Sequence, residues 1–309
     1  MGALPARFRR ERVLVVGCGD VGLRSVQGLG AGRRARVLAL TSSPERVPGL
    51  RQAGVTPLLG NLDDPRSLQR LAGLATRVLH LAPPPNEPAG GVQDPRSRAL
   101  AQALARRGRP VRLVYGSTTG VYGDCQGAWV DETRPVAPDT PRARRRVDAE
   151  GYLRWWGRAY GVAVAVLRIP GIYAHDRAGG ARERLLRGTP VLRPEDDVYT
   201  NHVQADDLAQ ACVRALWRAP AQRVYHACDD TDLKMGDYFD LAADVLGLPR
   251  PQRIARAEAP HRVSLMVLSF MNESRRLRND RLKRELGWTP RYPTVREGLQ
   301  AQAGVPRVV

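Results

Sequence analysis

The sequence predicts an α/β fold, a doubly wound parallel sheet with a smaller C-terminal lobe. Two observations predict it. Short continuous apolar runs alternate with segments of helical period along the first half of the chain, the pattern of βαβ units whose sheet is covered on both faces. The first of these runs ends in a glycine-rich turn that opens directly into a helix. With 309 residues, the chain is long enough to bury about three quarters of its unfolded surface and to form roughly two domains.

The elements follow in order. Residues 12–16 (Arg-Val-Leu-Val-Val) read as a buried strand and 21–29 as a helix. Strands are expected at 37–40 and 55–59, a helix at 65–74, and a strand at 78–82 that Pro83-Pro84-Pro85 ends. A helix at 97–107, a strand at 111–115, a long helix at 142–160 and a strand at 162–167 complete the alternation. Crossovers between these parallel strands should be right-handed. After about Pro170 the pattern loosens and prolines interrupt it. The expected division is therefore a dinucleotide-type domain over 1–170, extended by about 198–228, and a lobe over 171–309.

Composition excludes several classes. Hydrophobic residues make up 43% and charged residues 26%, as in folded domains rather than disordered chains. No apolar run approaches the roughly 20 residues of a membrane helix. The basic segment before Val13 is followed by too short an apolar stretch for a signal peptide, and Ala6 is not the Ser or Thr of a myristoylation motif. Cys18, Cys125, Cys212 and Cys228 are widely spaced, with neither zinc spacing nor a disulfide framework, which fits reduced thiols in the cytoplasm. No two of the five histidines have metal-ligand spacing, so no metal is expected.

The net charge of +18 suggests an anionic partner. All but two of the 49 basic residues are arginine, however, and they are spread along the chain. Compositional bias with solvated faces explains this better than a nucleic-acid surface. The runs at 7–12, 142–146 and 275–278 take the same reading, except where position argues otherwise.

Gly17-Cys-Gly19-Asp20-Val21-Gly22 is a G-x-G-x-x-G loop between a strand and a helix, the Rossmann-type arrangement. Glycine is needed there for a tight turn, for close approach of a pyrophosphate, and for helix–strand packing. The anion then rests on free N–H groups at a helix N-terminus. The tip of the second strand carries Thr41 and Ser42 instead of an acidic residue, and Arg46 follows. Hydroxyls and a guanidinium suit a 2′-phosphate, so NADP is expected, with NAD as the alternative.

Several further segments, in order from about residue 12 to 300, resemble the extended or atypical short-chain dehydrogenase/reductases of the NAD-dependent epimerase/dehydratase group. They are Gly60-Asn61-Leu62-Asp63-Asp64, Leu79-His80-Leu81-Ala82, Gly116-Ser117-Thr118-Thr119-Gly120-Val121-Tyr122-Gly123, Leu167-Arg168-Ile-Pro170, Asn201-His202-Val-Gln-Ala-Asp206-Asp207 and Leu286-Gly-Trp288-Thr-Pro290. The resemblance implies that Asn61 and Leu62 flank the adenine and that Leu81 and Ala82 lie beside the cofactor ribose. It implies a small or sugar-like substrate, and a long helix able to help form a homodimer. It also implies catalysis by a Ser/Thr and a Tyr-x-x-x-Lys. Thr118 matches the first.

The second is missing: no Tyr-x-x-x-Lys occurs in the chain. In the frame P-x-x-x-Y-x-x-x-K-x-x-x-E, starting at Pro138, Arg142 stands at the tyrosine and Arg146 at the lysine. A guanidinium stays protonated and cannot exchange protons near neutral pH. Arg146 can still hold ribose or phosphate oxygens. Tyr122 and Tyr173 are the alternative phenols, each read first as a packing residue, with Tyr122 the stronger candidate substitute. Three functions stay open: an NAD(P)-dependent oxidoreductase or epimerase with altered proton chemistry, a non-catalytic dinucleotide-binding sensor or scaffold, and a polyanion binder. Among other residues, His202 reads as structural. His80 reads as satisfied by backbone or touching cofactor, and Trp155-Trp156 as packing on the sheet or a partner subunit. Arg177, Arg182 and Arg193 are candidates for an anionic substrate.

Overall fold

The computed structural model describes residues 11–30, 35–85, 91–177 and 179–303. The first basic run therefore lies outside it except for its last two residues, as does the N-terminal hexapeptide. The elements are β1 (Glu11–Val16), α1 (Asp20–Gly28), β2 (Ala35–Thr41), α2 (Val47–Gln52), β3 (Thr56–Leu59), β4 (Arg77–His80), α3 (Pro95–Ala105), β5 (Arg112–Thr118), β6 (Trp129–Val130), α4 (Pro141–Tyr160) and β7 (Ala163–Ile169). They continue with β8 (Gly171–Tyr173), α5 (Ala181–Leu186), β9 (Val191–Leu192), β10 (Tyr199–Thr200), β11 (His202–Gln204), α6 (Ala205–Arg218), β12 (Arg223–His226) and β13 (Leu233–Lys234). The last are α7 (Met235–Leu246), β14 (Arg253–Ile254), α8 (Ala259–Arg262), α9 (Leu265–Met271), β15 (Arg276–Leu277), α10 (Asp280–Leu286) and α11 (Val295–Ala303).

A seven-stranded sheet runs in the order β12-β7-β5-β4-β1-β2-β3. β1 pairs in parallel with β2 and with β4, so that Val16 stands between Leu40 and His80. β2 pairs in parallel with β3, and β4 with β5. The order reverses direction at β1, beside β4, which makes the carboxyl ends of these strands the place where an open α/β sheet takes its ligand.

The chain divides into two compact units. One comprises the chain up to Ser117 with Arg144–Leu167 and Ala209–Val224. Its core is the strand residues Leu14, Val16, Leu38, Val78, Leu113 and Val166, packed with Leu100 and Leu104 of α3 and Leu153 and Trp156 of α4. Trp156 is fully enclosed, while its neighbour Trp155 is exposed. The expected helix at 65–74 is a 3₁₀ segment, Pro65–Leu71, started by Asp64, whose carboxylate accepts from Arg66 N. Gly73 ends it with a positive φ. α3 starts in the same way, with Asp94 capping Arg96 N ahead of Pro95.

The other unit comprises Thr118–Ala143, Arg168–Leu208 and the chain from Tyr225. Its core brings Phe239, Ala242 and Ala243 of α7 together with Leu185, Val191, Leu192, Ile254, Met271 and Val295. Four two-stranded pairings, β8 with β11, β9 with β14, β10 with β13 and β6 with β15, belong to it. The Asp207 carboxylate accepts from the backbone of Arg291 at 2.6 Å and Tyr292 at 2.9 Å. Its carbonyl accepts from Trp288 Nε1 at 3.1 Å. These bonds tie the Asp206-Asp207 segment to the Leu-Gly-Trp-x-Pro segment.

Candidate dinucleotide site and substrate-side turn

In the first unit the three glycines of the loop do three different things. Gly17 has φ +83°, and a Cβ there would lie 2.4 Å from Ala82 N and 2.7 Å from Ala82 Cα. Only glycine permits that turn and that approach. A Cβ on Gly22 would lie 3.1 Å from Gly17 O and 3.4 Å from Val15, so Gly22 lets α1 lie close on β1. Gly19 is different: a Cβ there would meet nothing within 4 Å. Gly19 is the N-cap of α1 and supplies no side-chain cap. The first turn, which begins at Asp20, therefore presents the uncapped N–H groups of Val21 and Gly22 at the positive end of the helix dipole. The Asp20 carboxylate is drawn to Arg24, 2.8 Å away.

The strand ends frame this turn. Leu81 N and Ala82 N both donate to Val16 O, at 2.7 and 3.1 Å. Thr41 is buried, and its hydroxyl accepts from Ser43 N at 3.2 Å, while Ser42 is exposed. Arg46 reaches back across the loop and donates from Nη2 to Cys18 O at 2.5 Å. Burial pushes the Cys18 thiol up to about 11 against the opposing pull of Arg46, so it is a neutral packing group. Asn61 forms an Asx turn with Asp63 N at 3.0 Å, and its own N–H donates to Ser67 Oγ at 2.8 Å. Leu62 packs partly buried against the core.

Arg146 projects from α4 to the end of β5. Its Nη1 donates to Gly116 O at 2.6 Å and to Tyr115 Oη at 3.1 Å. One turn further on, Glu150 accepts from Ser117 Oγ at 2.5 Å. The lysine and glutamate positions of the sequence frame thus both meet the end of β5. Beside them, Ser97 donates to Asp94 Oδ2 at 2.6 Å and sits 2.9 Å from His80 Nε2. Since the serine proton goes to the carboxylate, His80 carries its proton on Nε2. Its Nδ1 is buried without a hydrogen-bond partner among the described residues. The sequence suggested a backbone partner for His80; the partner is a serine side chain. Burial, and Arg146 nearby, lower the His80 pKa to about 3, so the ring is neutral.

The second unit holds the Thr118 turn. Thr118 is half-buried, and Oγ1 accepts from Gly120 N at 3.3 Å. Tyr122 is only 1% exposed. Its Oη lies 2.6 Å from His226 Nε2 and accepts from Arg168 Nη1 at 2.6 Å. His226 Nδ1 lies 2.9 Å from Arg278 O; the carbonyl can only accept, so Nε2 takes the phenol proton. A phenol enclosed and bonded in this way serves as a packing hub, which weighs against Tyr122 as the proton-exchanging group. Tyr173 is buried too, its hydroxyl donating to Thr294 O at 3.4 Å, with burial and nearby carboxylates raising its pKa. Arg142 is exposed, its guanidinium 5.6 Å above the Phe270 ring.

Two of the arginine runs contain buried members. Arg275 is buried and pairs with Glu273 at 2.8 Å, and Arg145 is buried as well. These are structural members of solvated-looking runs. Arg182 and Arg193 are exposed. His202 stacks on Tyr238 at 3.9 Å and is buried, as expected of a structural residue. All four cysteines are buried and free. Among the described residues, no group of three or more His, Cys, Asp or Glu could hold a metal ion, and no helix is long and apolar enough to cross a membrane.

The uncapped first turn, the open space at Gly19 and the adjacent Arg46 together fit the pyrophosphate and ribose of a nicotinamide dinucleotide. The chain is 28% identical over 239 residues to a 3-diazoavenalumate denitrifying reductase from a Streptomyces species, covering 77% of this chain and 73% of that protein. A conserved protein of unknown function from Silicibacter pomeroyi superposes with a TM-score of 0.79 at 31% identity, over 94% of this chain and 98% of that one. UDP-glucose 4-epimerase from Thermotoga maritima shares the fold, with a TM-score of 0.77 at 22% identity, over 94% of this chain and 97% of that one. The family model described as NAD dependent epimerase/dehydratase matches residues 13–228. With that match spanning the glycine loop, the Thr118 turn and the Asp206-Asp207 segment, the chain belongs to the NAD dependent epimerase/dehydratase family.

Proposed function

We propose that this chain is an NADP-preferring oxidoreductase, of epimerase/dehydratase type, acting on a small or sugar-like substrate without the family's tyrosine. The observation that carries the reading is the cradle at Gly19: uncapped N–H groups, open space, and Arg46 held on the Cys18 carbonyl. In this reading Gly17, Gly19, Asp20, Val21 and Gly22 hold the pyrophosphate. Thr41, Ser42 and Arg46 surround the adenosine ribose and its 2′-phosphate, with NAD as the alternative cofactor. Asn61 and Leu62 flank the adenine, and Leu81, Ala82 and Arg146 border the second ribose. Residues 1–170 with about 198–228 form the dinucleotide domain, and 171–309 the substrate lobe.

When bound, the dinucleotide would supply or accept hydride. The chain's own residues would orient the substrate, with Thr118 offering its hydroxyl. Arg142 cannot donate a proton near neutral pH, and Tyr122 is enclosed. The reaction must then draw its proton from another group, or need none at the reacting carbon's substituent. The Streptomyces relative is named for a denitrifying reduction. Hydride transfer to a diazonium carbon forms a C–H bond as the C–N bond breaks and dinitrogen leaves, with no proton required on a carbinol oxygen, and so tolerates the loss of the phenol.

A second reading, a non-catalytic dinucleotide-binding sensor or scaffold, is favoured by the same arginine at the tyrosine position. Polyanion binding is supported less, because several arginines are paired with carboxylates of the chain itself: Arg96 with Asp63, Arg98 with Asp148, and Arg253 with Asp240. Titration with NADPH and NADH, followed by tryptophan fluorescence at two salt concentrations, tests all three. Saturable micromolar binding of NADPH supports the first two readings. Turnover of a carbonyl or diazo compound with NADPH separates the first from the second. Absence of binding by either dinucleotide overturns both.

A further inference from the structure

We infer that Glu273 is a substrate-contacting residue that selects substrates with a hydroxyl on the carbon next to the reacting carbonyl, such as α-hydroxy ketones and their sugar-like relatives. This role rests on reading the Thr118 turn as the substrate side of the proposed function.

Gly120 marks the place. A Cβ put there would lie 3.7 Å from Thr118 Oγ1 and 3.7 Å from Glu273 Oε2, and closer to no other atom outside its neighbours. The hydroxyl and the carboxylate therefore border one small space, no further apart than twice that distance. Two oxygens on adjacent carbons, each making a hydrogen bond of roughly 2.8 Å, span such a gap. The substrate's carbonyl would accept from Thr118, whose hydroxyl proton is not used in accepting from Gly120 N. Its neighbouring hydroxyl would donate to Glu273.

Glu273 is built for that position. Its side chain is 9% exposed. Arg275, itself buried, donates from Nη1 to Glu273 Oε2 at 2.8 Å and to Gly123 O at 3.0 Å. Arg275 Nη2 reaches Thr119 Oγ1 at 3.5 Å. The carboxylate is thus fixed to the Thr118–Gly123 turn through a single guanidinium. Its other oxygen, Oε1, has no hydrogen-bond partner among the described residues, and is not among their enclosed, unpaired atoms. Oε2, the oxygen that borders this space, accepts from Arg275 through one lone pair and keeps a second for another donor. No sequence motif marks Glu273.

Glu273→Gln is the informative variant. Arg275 can only donate, so the glutamine carbonyl would take the place of Oε2, facing both Arg275 and the space. The fixed pairing survives while the acceptor loses its negative charge. The full-length protein, without dinucleotide, would be titrated with 2-hydroxyacetophenone and acetophenone by ligand-observed saturation-transfer NMR. The expected wild-type preference for the hydroxy ketone is about tenfold, the low end for one charge-assisted hydrogen bond at a partly open site. Glu273→Gln should reduce the preference below about threefold, and Glu273→Asp should restore part of it. Thr118→Val should weaken both ketones alike. Equal affinity for the two ketones in the wild type, or an unchanged preference in Glu273→Gln, overturns the inference. Failure of the dinucleotide reading would show separately, as absence of NADPH binding by the wild type, with the ketone preference untouched.

Discussion

Gly17 and Gly19 sit two residues apart in one loop, yet the structure assigns them opposite sensitivities. Alanine at position 17 must adopt φ +83° and place its Cβ 2.4 Å from Ala82 N. The left-handed backbone costs about 1–2 kcal/mol, and forcing the β1 and β4 ends apart costs about 1–3 kcal/mol more. The expected loss is about 2–5 kcal/mol, a large part of the roughly 5–15 kcal/mol that holds a domain folded. A fall in Tm of roughly 5–15 °C should follow. At position 19 the backbone has an ordinary φ of −82° and a Cβ meets nothing. Gly19→Val should therefore leave Tm within about 2 °C, as substitutions away from packed features change stability by only about 0.5 kcal/mol. It should still fill the space a pyrophosphate would occupy. NADPH affinity should drop by at least about 100-fold, equivalent to roughly 2.7 kcal/mol. Differential scanning calorimetry and fluorescence titration on the two variants separate the effects. A Gly19→Val protein that binds NADPH as the wild type does would refute the cradle, however stable it is.

Arg46→Ala should weaken NADPH by about 10- to 100-fold, the worth of one or two charge-assisted hydrogen bonds to a phosphate, and NADH by less than about threefold; equal losses would remove the case for NADP. His80, His202 and His226 are all lowered to about 3 by burial. Unfolded histidines bind protons below about 6.5, so stability should fall as pH drops from there toward 3; a Tm flat across that window would contradict the buried neutral rings. Asp229 runs the other way. Burial raises it to about 8, so its contribution is present in acid and lost as pH rises from about 4 to 8. Asp229→Asn should stabilise the protein at pH 8 by on the order of 3 kcal/mol and have little effect at pH 4, which parallel melting curves would reveal or refute. Arg142→Tyr with Arg146→Lys rebuilds the missing pair. Carbonyl reduction should rise by about 100-fold or more if a general acid is what the chain lacks, and an unchanged rate with intact NADPH binding would exclude that explanation.

The first half of the fold was legible because its signals are local and mutually consistent. Apolar runs marked β1, β2, β4, β5 and β7 to within a few residues, and the glycines marked the turn between β1 and α1. The ends shifted where pairing, not propensity, decides: β5 continues to Thr118, beyond the apolar run that ends at Tyr115. The helix expected after β3 became 3₁₀ because Gly73 and the Asp64 cap bound it so tightly. The roles of His80, Tyr122 and Arg275 were not legible, because each depends on a distant or unmarked partner: Ser97, His226 and Glu273. Glu273 itself was missed outright. Its neighbours read as a solvated arginine run, and only the fold brings it beside a turn some 150 residues earlier.

Arg146 and Glu150 show that the family's frame is retained as geometry even where arginines replace its tyrosine and lysine. A lysine at 146 would reach the end of β5 as a point charge; Arg146 reaches it with a planar fork and bonds Gly116 and Tyr115 through one nitrogen, leaving the rest of the fork for a ligand's oxygens. The holding function of the lysine position is therefore kept in form. The tyrosine position is not, since no arrangement of Arg142 supplies a proton near neutral pH. On the proposed function, a dinucleotide cradle and a fixed carboxylate beside Thr118, without the phenol, would position substrate rather than protonate it. The electrophile suited to such a site carries its own activation, as a strongly polarised carbonyl or a nitrogen leaving group does. For that electrophile, the position of the substrate's neighbouring hydroxyl, and not the acidity of a side chain, would govern the rate.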